Sequence, residues 1–135
     1  MPNRQDKRGR RKGGPPFVML RYYLLDSHAW GALSVVERCT YLALARRFDG
    51  KNNGFISFSV REGAEAFRVS KNTISRALRR LAELGFIEVT QEGSFNCKVR
   101  HATEYRLTDY ACDRTNKPPS EAFMKWRPDI ANKNR

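Results

Sequence analysis

Between Ser70 and Gly85 the apolar residues Ile74, Ala77, Leu78, Leu81 and Leu84 fall on one face of a helical wheel. Asn72, Arg76 and Arg79 fall opposite, with Thr73 and Arg80 on one flank, so the pattern predicts a helix over 71–84 that is half core and half basic. Ser70 supplies its N-cap, and Gly85 stands where a left-handed residue ends it. Upstream, Ser34 and Glu37 have the spacing of a capping box, which starts a helix running to about Phe48 and ending before Gly50. Val35, Val36, Cys39, Leu42, Ala43 and Leu44 spread apolar character around most of that helix, which therefore needs cover on more than one side, from the 17–30 segment or a second subunit. The same spacing at Ser59 and Glu62 predicts a short helix through Ala64, Ala66 and Phe67, with a tight turn at Arg68 and Val69 before Ser70.

Elsewhere the period changes to two. GFISFS, FIEVT and TEYRLT alternate as strands, with Tyr105 and Leu107 facing inward, and KNNG and QEGS are turns. The aromatic stretch that begins at Phe17 predicts a short strand or helix, then a turn at Asp26 and Ser27. After Cys112 prolines interrupt the pattern. Ser120 is placed to cap one short helix bearing Phe123, Met124 and Trp126, which either packs back on the domain or meets a partner. The chain thus divides into a disordered basic arm (1–16), one folded domain (17–112) and a tail with a short helix (113–135).

Charge changes the picture most. Lysine and arginine number 26 against 14 acidic residues, for a net charge of +12 in 135 residues. Six basic side chains against one acid fall in MPNRQDKRGRRKGGPP alone. Such an excess draws polyanions, and nucleic acid is the expected partner. No apolar run approaches the roughly 18 residues of a membrane span, and no signal-peptide h-region follows the basic start, so no membrane is expected and the protein belongs in the cytosol, with the nucleoid.

Three cysteines, Cys39, Cys97 and Cys112, make neither a disulfide set nor a C-x-x-C pair, and His28 and His101 lie far apart. Neither a metal nor another cofactor is expected. Asp49, Glu62, Glu65, Asp109 and Asp113 have no paired-carboxylate spacing for nuclease work, and no P-loop or dinucleotide fingerprint occurs. Tyr22, Tyr23 and Tyr41, as nucleophiles for strand transfer, fall in segments predicted to be core. No catalytic activity is expected.

The element order is helix, strand, short helix, tight turn, basic helix and hairpin. That is the order of an α+β winged helix-turn-helix, with a three-helix core and a small antiparallel sheet and wing. Helix 71–84 would lie in the major groove of double-stranded DNA, which is about 12 Å wide and displays base edges that Asn and Arg can read. The segment between the last two strands would be the wing (91–102), with Lys98, Arg100 and His101 suited to phosphates or a neighbouring minor groove.

The stretch ISFSVREGAEAFRVSKNTISRALRRLAELGFIEVTQEG is similar to the winged-helix domains of bacterial GntR and MarR regulators. With NNGFISFSVREGA, GFIEV, RHATEYRLT and EAFMKW, it looks closer to small winged-helix proteins of plasmids, phages and integrative elements. These include conjugation repressors of the RctA type and the N-terminal domain of phage lambda's O protein. The resemblance implies a small sequence-specific DNA-binding regulator, a repressor of a mobile element. It carries recognition positions onto Ser70, Lys71, Asn72, Thr73 and Arg76, with Arg79 and Arg80 as phosphate contacts. Arg68 stands where such domains often have Gly or an apolar residue. No ligand-binding half follows as in GntR regulators, so no small-molecule effector is expected. A homodimer on two half-sites is expected. Its surface would be helix 34–48 or the Phe123–Trp126 segment. Two other readings stay open: an origin-binding replication protein, and a module that binds RNA or protein.

Overall fold

A computed structural model describes residues 14–95 and 100–128. The Ser34–Glu37 spacing does what it predicts. Glu37 N–H donates to Ser34 Oγ at 3.2 Å, Ser34 N–H donates to Glu37 Oε1 at 3.0 Å, and helix α3 follows. Among the described residues there are five α-helices, two of them single turns: α1 (Tyr22–Leu25), α2 (His28–Gly31), α3 (Val35–Arg47), α4 (Val60–Phe67) and α5 (Lys71–Leu84). Where the sequence left strand or helix open after Phe17, the chain makes α1 and α2, with Ser27 capping α2. No described helix is long and apolar enough to cross a membrane.

The strands are β1 (Ile56–Ser57), β2 (Ile87–Gln91), β3 (Ser94–Phe95), β4 (Arg100–His101) and β5 (Glu104–Leu107). β5 lies between β1 and β2 in an antiparallel sheet, and β3 pairs with β4 as a two-stranded extension. Ile56 opposes Tyr105 and Ile87 opposes Leu107, so one face carries the apolar set. That face packs against α3 and α5 around Leu44, Ile74, Leu81 and Leu84. A bulge between Val89 and Gln91 frees the Thr90 hydroxyl to donate to Gly54 O at 2.6 Å. Arg106 is buried although it alternates outward, because residues 112–118 cover the outer face of the sheet.

An aromatic cluster joins the helices to the sheet. Trp30, Tyr41 and Phe86 meet edge to face at 5.7–5.9 Å, and Phe123 stacks on Phe86 at 5.0 Å. Phe123 comes from a 3₁₀ turn (Ala122–Lys125) that packs back on the domain. Ser120 does not cap that turn. Glu121 takes the cap position with φ 48° and no side-chain bond, because its N–H is already given to Thr108 O at 3.0 Å.

Three further expectations change. Tyr22 is 84 % exposed rather than core, since a single-turn helix buries one side and Leu24 occupies it. Helix α3 is covered through Thr40, Tyr41 and Leu44, but Val35 (73 % exposed) and Leu42 face outward. Glu62 does not complete a capping box with the Ser59 backbone. Its carboxylate bonds the Ser59 hydroxyl and the Arg47 guanidinium, which ties α4 to the end of α3.

Candidate nucleic-acid interface

Helices α4 and α5 are held as a pair by their approach at Gly63. A Cβ built there would stand 2.9 Å from Ile74 Cγ2 and 3.0 Å from Phe58 Cε1, so only glycine allows the two helices to come this close. Arg68 ends α4 in the left-handed region (φ 56°, ψ 47°), a conformation that costs a non-glycine residue about 1–2 kcal/mol. That reversal sets the three-residue turn. Ser70 then caps α5, accepting from Thr73 N–H at 3.1 Å.

The five predicted core residues of α5 are its five buried ones. Lys71, Asn72, Arg76 and Arg79 are exposed, and among the described residues their side chains make no ion pair or hydrogen bond. Ser70 and Thr73 are committed to capping, their hydroxyls 2.8 Å apart. Arg80 sits on the flank, half-buried, 3.7 Å from Glu83 and with its guanidinium 5.9 Å from the centre of the Trp126 ring. The α5 surface therefore offers three free cations and one free carboxamide near its N-terminal half and middle, while Arg80 is held toward the 122–126 segment.

Around this surface, Arg47 pairs with Glu62, whose carboxyl is held below the usual range chiefly by that hydrogen bond. Arg61 pairs with Glu65 at 3.8 Å along α4. These acids neutralise Arg47 and Arg61, while Lys71, Arg76 and Arg79 on α5 and Arg68 in the turn before it have no ion pair among the described residues. The β3–β4 extension brings the backbones of Phe95 and Arg100 opposite each other. Lys98 lies outside the described residues, as does Cys97, and Arg100 and His101 are placed only by their backbone in β4. The sequence reading missed two residues that shape the site indirectly. Gly63 was readable only as a weak helix former. Glu62 was readable as a cap, and its link to Arg47 depends on a long-range contact.

Compared with protein families, curated proteins and solved structures, the chain matches none of them.

Proposed function

We infer that the chain is a sequence-specific double-stranded DNA-binding protein of the winged helix-turn-helix kind, reading the major groove with α5. The observation that carries this reading is one face of one helix. Lys71, Asn72, Arg76 and Arg79 are exposed and uncommitted there, opposite a buried apolar stripe, on a helix set against α4 by a tight turn. Arg and Asn are the residue types that make bidentate contacts to guanine and adenine edges. Lys71 can join them at a guanine edge, and Arg79 suits backbone phosphates. The β3–β4 extension has the place of a wing, and its Arg100 and His101 would meet an adjacent groove or phosphates. The net charge of +12 supplies sequence-independent attraction.

The resemblance supports a transcriptional regulator of a mobile element, a repressor that occupies an operator in the cytoplasm. Two copies on two half-sites would gain affinity and symmetry, and the exposed Val35 and Leu42 of α3 are a surface such a dimer would cover. Fluorescence anisotropy on the DNA upstream of its own gene and on scrambled DNA, each at two salt concentrations, tests the reading. A preference of about a thousandfold or more is the expected result. Equal and steeply salt-sensitive binding would leave only general attraction, and no binding at low salt would end the proposal.

A further inference from the structure

The outer face of the sheet carries a second basic feature, separated from the exposed face of α5 by the hydrophobic core. Here Glu88 opposes Arg106 across β2 and β5. The loop that follows Cys112 closes over them, leaving a cleft of about 270 Å³ lined by Glu88, Thr90, Arg106, Cys112, Arg114, Thr115 and Lys117 among others.

Arg106 is the unusual member. Its side chain is only 4 % exposed. A guanidinium has five N–H donors. Nη2 serves Tyr110 O at 3.0 Å and Pro118 O at 3.2 Å. Nε has no partner among the described residues but is itself sealed from solvent, so the donor left for a ligand is Nη1, which has only Glu88 at 3.7 Å, beyond hydrogen-bond length. A buried cation with donors unspent is costly unless something anionic meets it. Glu88 is a poor match, since its side chain is half in solvent.

Of the two other cations on its walls, one is uncompensated. Arg114 is committed to Glu104 at 2.9 Å and to Gly54 O, so it adds little net charge. Lys117 is exposed, with no ion pair among the described residues. The loop also stabilises negative charge where it can be tested chemically. Burial raises the Cys112 thiol, but the Thr115 hydroxyl, the Thr115 and Arg114 backbone groups and the Arg106 charge outweigh it and leave the thiol below its ordinary value.

We propose that this cleft is a binding site for a phosphate group, free or on a small phosphomonoester, held by Arg106, Lys117 and Thr115. A phosphoryl group carries a charge of about −1.5 to −2 at neutral pH and three strong acceptors, which matches the unspent donors of one arginine and one lysine. The size fits: the cleft is just below the range of about 300–1,000 Å³ that drug-sized ligands occupy. Glu88 is the built-in competitor, and the ligand displaces it from Arg106 toward solvent. Such a site would hold a small anion, where the sequence reading expected no small-molecule effector. It bridges β2, β5 and the 112–118 loop without touching the DNA-reading face.

The test is calorimetric titration of the full chain with inorganic phosphate and separately with phenyl phosphate, at fixed ionic strength in chloride, with amide NMR shifts to locate binding. The expected result is saturable binding with shifts centred on Thr90, Arg106, Thr115 and Lys117. Lys117→Ala, an exposed substitution that leaves the fold intact, weakens binding about fivefold, and Glu88→Gln tightens it by a similar factor. Tighter binding of phenyl phosphate assigns the site to a monoester, and tighter inorganic phosphate to the free ion. The absence of saturable binding overturns the proposal. So do shifts centred on α5 with both variants titrating like the parent, which is adsorption to the basic helix. No DNA enters these measurements, so their failure and a failure of the DNA reading are separate results.

Discussion

The Asn53 carboxamide pairs with both backbone groups of Leu107, its Oδ1 accepting the N–H at 2.6 Å and its Nδ2 donating to the carbonyl at 2.9 Å. Nδ2 also reaches Tyr110 O at 3.2 Å and Ala111 O at 2.9 Å, and the Asn53 backbone N–H meets Asp113 Oδ2 at 2.8 Å. One fully buried side chain thus holds the end of the central strand to the turn before β1 and to the segment beyond Thr108.

Asn53→Ala therefore strands the buried Leu107 N–H and takes the donor from Ala111 O, while Tyr110 O keeps Arg106 Nη2 and Leu107 O keeps the Tyr110 N–H at 3.4 Å. Each unsatisfied buried group costs about 1–3 kcal/mol, and partial solvent entry recovers some of it, so a total loss of about 3 kcal/mol is expected. Urea unfolding followed by circular dichroism measures it. Asn53→Asp is no rescue, because a carboxylate accepts from Leu107 but has no proton for the three carbonyls. A loss below that of a typical surface substitution would show that the carboxamide is dispensable.

At Gly63 the usual expectation for a helix is reversed. Alanine is the better helix former by about 1 kcal/mol. The added methyl, however, meets Ile74 Cγ2 at 2.9 Å and Phe58 Cε1 at 3.0 Å, and both side chains are buried. Overpacking costs typically about 1–3 kcal/mol, so Gly63→Ala is expected to lower stability on balance. On the proposed DNA-binding reading, pushing α4 from α5 should also lower DNA affinity by more than stability alone explains. Thermal unfolding and anisotropy on the same preparation separate the two effects.

How far these features were legible follows from the range of their contacts. The buried stripe of α5, its Ser70 cap and its Gly85 stop depend on neighbours within one or two turns, and local spacing displays them. The inward set Tyr105 and Leu107 was legible for the same reason. Arg106 was not, since alternation points it outward and its cover arrives from residues 112–118. Asn53 looked like a turn residue, and its hydrogen-bond partners, from Leu107 to Arg114, all lie beyond residue 106. At the candidate interface, the exposure of Asn72, Arg76 and Arg79 was readable from the wheel. The hold of Trp126 on Arg80 was not, because no local pattern joins a tail residue to a helix flank.

Alkaline pH should weaken the fold through Tyr23. Burial and the hydrogen bond that its hydroxyl donates to Asp109 raise this phenol from 10.0 to about 12, against the opposing pull of Arg21. A raised folded pKa favours the protonated form, so its contribution is complete below pH 10.0 and is lost as pH rises toward about 12. Tyr41, buried and also raised, titrates with unfolding and adds to the same slope. Tyr23→Phe keeps the ring stack on Phe123 at 6.3 Å and removes the Tyr23 part of the slope. Urea midpoints across this range for both proteins check the difference, and superimposable slopes would remove Tyr23 from the account.

The two arginines Arg76 and Arg80 provide the sharpest contrast on α5. Arg76 is exposed and uncommitted on the face opposite Ile74 and Leu81, so a base edge can take its full fork. Arg80 is already engaged by Glu83 at 3.7 Å and by the Trp126 ring at 5.9 Å. For Arg76→Ala, binding to the specific site should weaken by about 1–3 kcal/mol and preference at one base should relax, while scrambled DNA loses far less. For Arg80→Ala, both DNAs should weaken alike and modestly, and part of any change should appear in stability, because Trp126 loses its cover. Replacing Trp126 by Leu separates the roles. If the ring holds Arg80 away from DNA, Trp126→Leu strengthens non-specific binding and steepens the salt slope by up to about one phosphate contact. Anisotropy across a salt series reads all three variants. Equal losses for Arg76→Ala on specific and scrambled DNA would make Arg76 a phosphate contact and move base reading to Lys71 and Asn72.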